Sequence, residues 1–286
     1  MGMTNVGNLL ELRRIYSRGI TGKGITTAVL DTGIYAHPDF FIPRNKIVYF
    51  QDFIRNRKGP FDDNGHGTHV SGIIASGGRL GDGSGIGVAP ESGIVMLKVL
   101  EKDGSGKIKN MLKGMEWILL NHEKYGIRIV NISVGMPVKN IENPEEEELV
   151  KKVEQLWNTG LVVVVAAGND GPAPYTITSP GTSRKVITVG TGKEAGGDYS
   201  GQGPVPGTCV CKPDIIAPAI NILSCDNHGK NYKRRSGTSM ALLLSNEPWL
   251  SNRDVKIRLM QSALDCGMAK SRQGWGLLNP EGILRI

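Results

Sequence analysis

Runs dominated by apolar residues recur along the chain at Ile25 to Leu30, Ile94 to Leu100, Ile127 to Val134, Leu161 to Ala167 and Val186 to Val189. Strands of that composition are buried on both faces, the situation found in parallel sheets. Helical spacing fills the intervals, at Val70 to Ala75, Ile108 to Tyr125 and Glu145 to Trp157, the last stopped by Gly160. The alternation predicts an α/β, doubly wound fold, with a mostly parallel sheet and helices on both faces. Leu9, Leu10, Leu12 and Ile15 predict a short outer helix before Thr21, and the Gly and Pro cluster from Gly196 to Pro206 reads as a surface loop. With no repeat and no low-complexity linker, residues 1–286 read as one domain, of which 1–20 are an extension.

Composition narrows the function classes. The chain has 286 residues, 39% of them hydrophobic, with 39 glycines, enough to bury a large core threaded by tight turns. No run reaches the 18 or so apolar residues of a spanning helix, so no membrane partner is expected. The first residues lack the cationic start, apolar stretch and cleavage site of a secretory leader. Cys209, Cys211, Cys225 and Cys266 are too irregularly spaced for a disulfide framework or a zinc site. Reduced thiols and a cytoplasmic location are therefore expected, a processed secreted form being the alternative. The formal charge of +7 favours acidic partners but is spread along the chain, so nucleic acid is not expected. Lys230 to Arg235 reads as a solvated loop, and Glu145 to Glu148 as the favourable negative start of a helix.

Candidate chemistry sits in Asp31-Thr32-Gly33, Asn64-Gly65-His66-Gly67-Thr68-His69 and Ser236-Gly237-Thr238-Ser239-Met240-Ala241. A serine hydroxyl is a poor nucleophile until an imidazole takes its proton and a carboxylate orients that imidazole. Ser239, His66 and Asp31 supply the three groups. Asp31 follows the first predicted strand, Ser133 and Gly135 end the third, and Asn169 ends the fourth, all at the carboxyl edge where α/β sheets bind ligands.

The order Asp, His, Ser with these flanks resembles the subtilisin family of serine proteases, whose chain order is a known pattern. Ala166-Ala167-Gly168-Asn169-Asp170-Gly171 is similar too, and the resemblance implies that Asn169 donates to the oxyanion. It also implies that Gly104, Ser105 and Gly106, together with Ser133, Val134 and Gly135, line the substrate as added strands. Thr178 then stands in the far wall of the specificity pocket, where its bulk would shrink the space. The implied activity is endopeptidase cleavage of polypeptide substrates with no cofactor needed for the chemistry. A structural calcium ion near Asp39, Asp82 and Gly77 to Gly85 is allowed by the resemblance, but two carboxylates fall short of the six or more oxygens that hard cations take. Neither metal ligands nor an oligomeric state are assigned.

Several residues also have plainer readings. Asp31 and Asn169 suit turns, Ser239 suits a helix N-cap, and Gly104 to Gly106 suit a glycine turn. His66 and His69 have neither the spacing nor the glutamate of a zinc helix, so His69 is read as a packed helix residue, and His37, His122 and His228 as surface or loop histidines. Gly190-Thr191-Gly192-Lys193-Glu194-Ala195 with Asp214 matches a dinucleotide pattern, but poor helix formers follow it. One departure from the family bears on activity. Leu242-Leu243-Leu244 follows Ala241 at once, where relatives continue with Ser-Pro or Thr-Pro and small apolar residues. The helix after Ser239 would then extend only about 12 Å. Either residues have been lost from the sequence of an intact enzyme, or the chain is a catalytically inactive, peptide-binding relative.

Overall fold

The computed structural model describes residues 12–78, 85–135, 144–192, 199–236 and 250–283. Two compact units divide the chain: 1–131 with 221–236 and 242–248, and 132–220 with 237–241 and 249–286.

The first unit opens with helix α1 (Leu12–Tyr16), which buries Leu12 and Ile15 and anchors through the Tyr16 hydroxyl, a donor to the Gly87 carbonyl at 2.5 Å. Strands β1 (Thr26–Asp31), β2 (Ile47–Asp52) and β3 (Gly93–Lys98) follow, with a short 3-10 helix at Pro38–Phe41. With β4 (Ile127–Ile132) the strand order is β2-β3-β1-β4. β1 and β2 both pair in parallel with β3, and the register sets Asp31 opposite Lys98. Every residue of β1 and β3 is buried, as their apolar character requires. Helix α2 (His66–Ala75) begins four residues before the predicted helical pattern, and α3 (Ile108–Asn121) buries Ile108, Met111, Met115 and Ile118 along one stripe.

The second unit holds α4 (Pro144–Asn158), with Glu145, Glu146 and Glu147 in its first turn, then β5 (Val162–Ala166), β6 (Ile187–Gly190) and β7 (Ile215–Ile216). β5 and β7 flank β6 in parallel. Helix α5 (Asn252–Ser262) starts from a capping box made by Ser251 and Asp254, and short helices α6 (Lys270–Gln273) and α7 (Pro280–Ile283) follow.

Three sequence expectations are corrected. Lys230 to Arg235 is no solvated loop: Tyr232–Arg235 form β9, antiparallel to β8 (Ile222–Cys225) in the first unit. His37 is 0% exposed, because its ring meets the Asn231 carbonyl at 3.1 Å and packs edge-on against Tyr232 and Phe40. The described part of Gly196 to Pro206 is largely buried, since Val205 packs on Ala167 and Ile177 and the Gly201 amide donates to the Gly168 carbonyl.

Candidate active site

β1 ends at Asp31, whose side chain is 0% exposed. Its two oxygens lie 2.8 and 2.9 Å from His66 Nδ1, and Oδ1 also accepts from the Thr32 amide at 2.7 Å. A carboxylate only accepts, so Nδ1 carries the proton and Nε2 keeps its lone pair for a base's work. The imidazole is 34% exposed, open to a reacting group. The Asp31 charge raises its pKa above the ordinary histidine value, against the opposing effects of burial and of the Arg235 guanidinium.

The backbone carrying this pair is tied to Asp62. Oδ1 accepts from Thr32 Oγ1 at 2.9 Å and from the amides of Asn64 and Gly65 at 3.1 and 2.8 Å, while Oδ2 accepts from the Thr68 amide and hydroxyl at 2.9 and 2.6 Å. Burial pushes the Asp62 carboxyl up, and the bonds from the Thr68 hydroxyl and the amides of Gly65, Thr68 and Asn64 outweigh it, leaving the pKa below the usual carboxylate value. One buried carboxylate thereby fixes both the turn after Asp31 and the first turn of the helix that begins with His66. Lys98 adds a buried cation to the same turn, donating to the Thr32 carbonyl at 2.5 Å, the Leu100 carbonyl at 2.8 Å and Asp63 Oδ1 at 2.7 Å.

The β8–β9 hairpin completes the support. Asn227 Nδ2 donates to the Asp62 carbonyl at 3.0 Å and Arg235 Nη2 to the Asn64 carbonyl at 3.2 Å. Both crowd Gly65, the α2 N-cap: its φ is +94° and a Cβ there would lie 2.8 Å from each side chain, so only glycine fits. His69 Nε2 sits 3.0 Å from the carbonyls of Ile222 and Lys233, and burial lowers its pKa to about 4. It is neutral and structural, as expected. Asp62, Lys98, Asn227 and Arg235 were not assigned these roles from sequence; the short Asp62 to His66 spacing was the one usable signal, whereas the hairpin contacts join residues over 160 positions apart.

Gly104, Ser105 and Gly106 belong to this unit as a turn: the Glu101 amide donates to the Ser105 carbonyl, Asp103 Oδ1 accepts from the Ser105 amide and hydroxyl, and Gly106 bridges Leu100. A Cβ at Gly104 would come within 3.9 Å of Asn64 Nδ2, so the turn adjoins the loop that carries His66.

In the second unit, Asn169 is exposed just beyond β5. Ser133, Val134 and Gly135 are half-buried. Thr178 is 2% exposed and fills the space beside two backbone segments: a Cβ at Gly135 would stand 1.7 Å from its hydroxyl and one at Gly168 2.4 Å from its methyl. The hydroxyls of Thr178 and Ser179 are buried without a hydrogen-bond partner among the described residues. The structure thus gathers Gly135, Thr178 and the segment leading to Asn169 in one place. Ser239 and the residues after it to Pro248 lie outside the described residues, as does Asp82.

Of the two carboxylates named for a calcium ion, Asp39 lies among the described residues and Asp82 does not. Asp39 accepts from Ser76 Oγ at 2.5 Å and Tyr232 OH at 2.9 Å, and the groups grouped with it are the His37 nitrogens and the Cys225 thiol. Nitrogen and sulfur suit softer ions than calcium, so that cluster is not the expected calcium site, the rest of which, residues 79–84, lies outside the described residues. The nucleotide pattern fares no better: Lys193 to Ala195 lie outside the described residues, and Asp214 is occupied by Lys212, Lys256 and the Thr188 amide.

Comparison with known proteins adds an independent line. Residues 22–276 match the subtilase family. The chain is 40% identical over 280 residues to serine protease AprX of Bacillus subtilis, a match covering 86% of this chain and 62% of that protein. It is 32% identical over 280 residues to subtilisin BL of Lederbergia lenta, covering 94% of each. A third relative, the thermostable alkaline protease of Halalkalibacterium halodurans, is 33% identical over 282 residues, covering 95% of this chain and 71% of the relative.

Proposed function

Since the chain belongs to the subtilase family of serine proteases, we propose that it is an endopeptidase working by acyl transfer through Ser239, His66 and Asp31. Ser239 Oγ attacks the scissile carbonyl carbon while its proton passes to His66 Nε2. Asp31 holds the ring and stabilises the imidazolium without taking the proton. The oxyanion of the tetrahedral intermediate accepts from Asn169 Nδ2 and the Ser239 amide. His66 then gives the proton to the leaving amine, and water resolves the acyl-enzyme by the same route reversed. Gly104 to Gly106 and Ser133 to Gly135 align the substrate backbone, with Thr178 limiting the pocket for the residue before the cleaved bond.

The observation that carries this reading is the 2.8 Å contact between a fully buried Asp31 and a partly exposed His66. Nothing in the relatives favours the non-catalytic alternative, since all three are named proteases. A fluorophosphonate probe followed by peptide mapping tests it: covalent label on Ser239 is expected, and a folded sample with label elsewhere or none would sink the assignment. The reading takes polypeptides as substrates. Among the described residues no helix is long and apolar enough to cross a membrane, and the four free thiols support a reducing, cytoplasmic setting.

A further inference from the structure

A cleft of about 410 Å³ opens in the second unit, lined by Trp157, Asn158, Arg184, Lys185, Arg253, Lys256, Ile257, Met260 and Trp275. None of these residues belongs to the set assigned to peptide-bond chemistry. Its floor is preformed: the Lys256 ammonium lies 5.8 Å from the ring centres of both Trp157 and Trp275. That ammonium is held there by the carbonyls of Arg184, Lys185 and Val186 at 2.9 to 3.0 Å and by Asp214 at 3.5 Å. The rim is apolar on one side, where Ile257 and Met260 are each 46% exposed on α5. It is cationic elsewhere. Lys185 is engaged by Asn158 and Glu154, but the guanidiniums of the exposed Arg184 and Arg253 have no hydrogen bond or ion pair among the described residues.

We propose that this cleft binds an acidic peptide segment bearing one aromatic or long aliphatic side chain. The half-buried Trp275 indole, backed by the buried Trp157, and two exposed aliphatic chains offer that side chain an apolar floor and a dry wall. The exposed guanidiniums of Arg184 and Arg253, without a partner among the described residues, are suited to bidentate capture of carboxylates flanking it, whereas Glu154 and Asp214 are already engaged by Lys185 and Lys256. A nucleic-acid strand shares the stacking and the charge but leaves Ile257 and Met260 without an apolar partner, so the peptide is the better complement.

The test uses enzyme inactivated by a fluorophosphonate and a fluorescently labelled hexapeptide with a central tryptophan and leucine between glutamates, its integrity checked by mass spectrometry. Anisotropy is expected to show saturable binding that weakens about tenfold or more in Arg184→Glu/Arg253→Glu, since charge-assisted hydrogen bonds are lost. Comparable weakening is expected for Ile257→Asp and for the peptide with glutamine in place of glutamate. The active variants should hydrolyse a small chromogenic peptide at the unaltered rate, which establishes their folding. Absence of saturable binding overturns the proposal. So does equal binding of the glutamine peptide, full affinity in the double variant, or displacement by oligothymidylate at equal concentration.

Discussion

Beside His66 the amides of Asn64, Gly65 and Thr68 converge on one carboxylate, whereas around Thr178 the side-chain fit is made by close steric approach and leaves two buried hydroxyls unpaired among the described residues. Under the proposed function the difference follows from what each region would have to do. A proton-transfer pair tolerates little displacement, so its carboxylate, ring and supporting loop would be over-determined. A region that receives a peptide would instead leave hydroxyl groups uncommitted for the substrate to use.

The contrast is broken most severely at its best-fixed point. Asp31→Asn should preserve the fold yet lower kcat by about 10⁴-fold, the scale known for this change in serine proteases, because the imidazole loses its tautomer control. The pH profile sharpens the result. His66 must be neutral to act as base and Asp31 raises its pKa, so the acid limb of kcat/KM should lie above the ordinary histidine value in the parent enzyme and move to lower pH in Asp31→Asn. Steady-state rates across pH read both effects.

In the second region, Asn169→Ala should cost about 10²- to 10³-fold in kcat with little change in KM, a magnitude taken from subtilisin and not from this geometry. A loss confined to KM would show that Asn169 serves binding alone.

Asp62→Asn compares the regions through stability. Removing the charge that accepts from five donors should destabilise the fold by about 2 to 3 kcal/mol, measured by urea unfolding at neutral pH. The pKa of Asp62 is depressed in the folded protein, so its contribution is present above the unfolded carboxylate value and is lost as pH falls through the folded one. The gap between parent and variant should accordingly narrow in acid. A constant gap would show that shape, not charge, is what the site requires.

The smallest effect is expected at Thr178→Gly. Opening the space beside Gly135 and Gly168 should shift preference towards larger side chains before the cleaved bond by about tenfold in relative kcat/KM. Unchanged preference across a peptide series would remove Thr178 from the specificity pocket.

The legibility of these features in the sequence divides along physical lines. β1, β3, β4, β5 and β6 were visible because strands buried on both faces are dominated by apolar residues, and Asp31 and His66 because glycine-flanked motifs are local. β2 was missed: Ile47 to Asp52 is mostly half-buried and polar at its end. β9 was missed because Lys233, Arg234 and Arg235 read as solvent-facing, while its importance lies in the Lys233 carbonyl that accepts from the His69 ring and a guanidinium that donates to the Asn64 carbonyl. Such contacts depend on backbone geometry between distant segments, which no local pattern records. His37 escaped for the same reason, its partners being Asn231 and Tyr232.

His69 carries a consequence for acid tolerance. Its ring donates to both strands of the hairpin while remaining uncharged down to about pH 4, whereas an unfolded chain would protonate the same ring near its ordinary value. Acidification between those two values therefore favours the unfolded chain, and the hairpin unlatches from the helix that bears the base. Activity should fade in two stages on the way down: a reversible one as His66 takes up its proton, and a structural one when the latch behind it gives way.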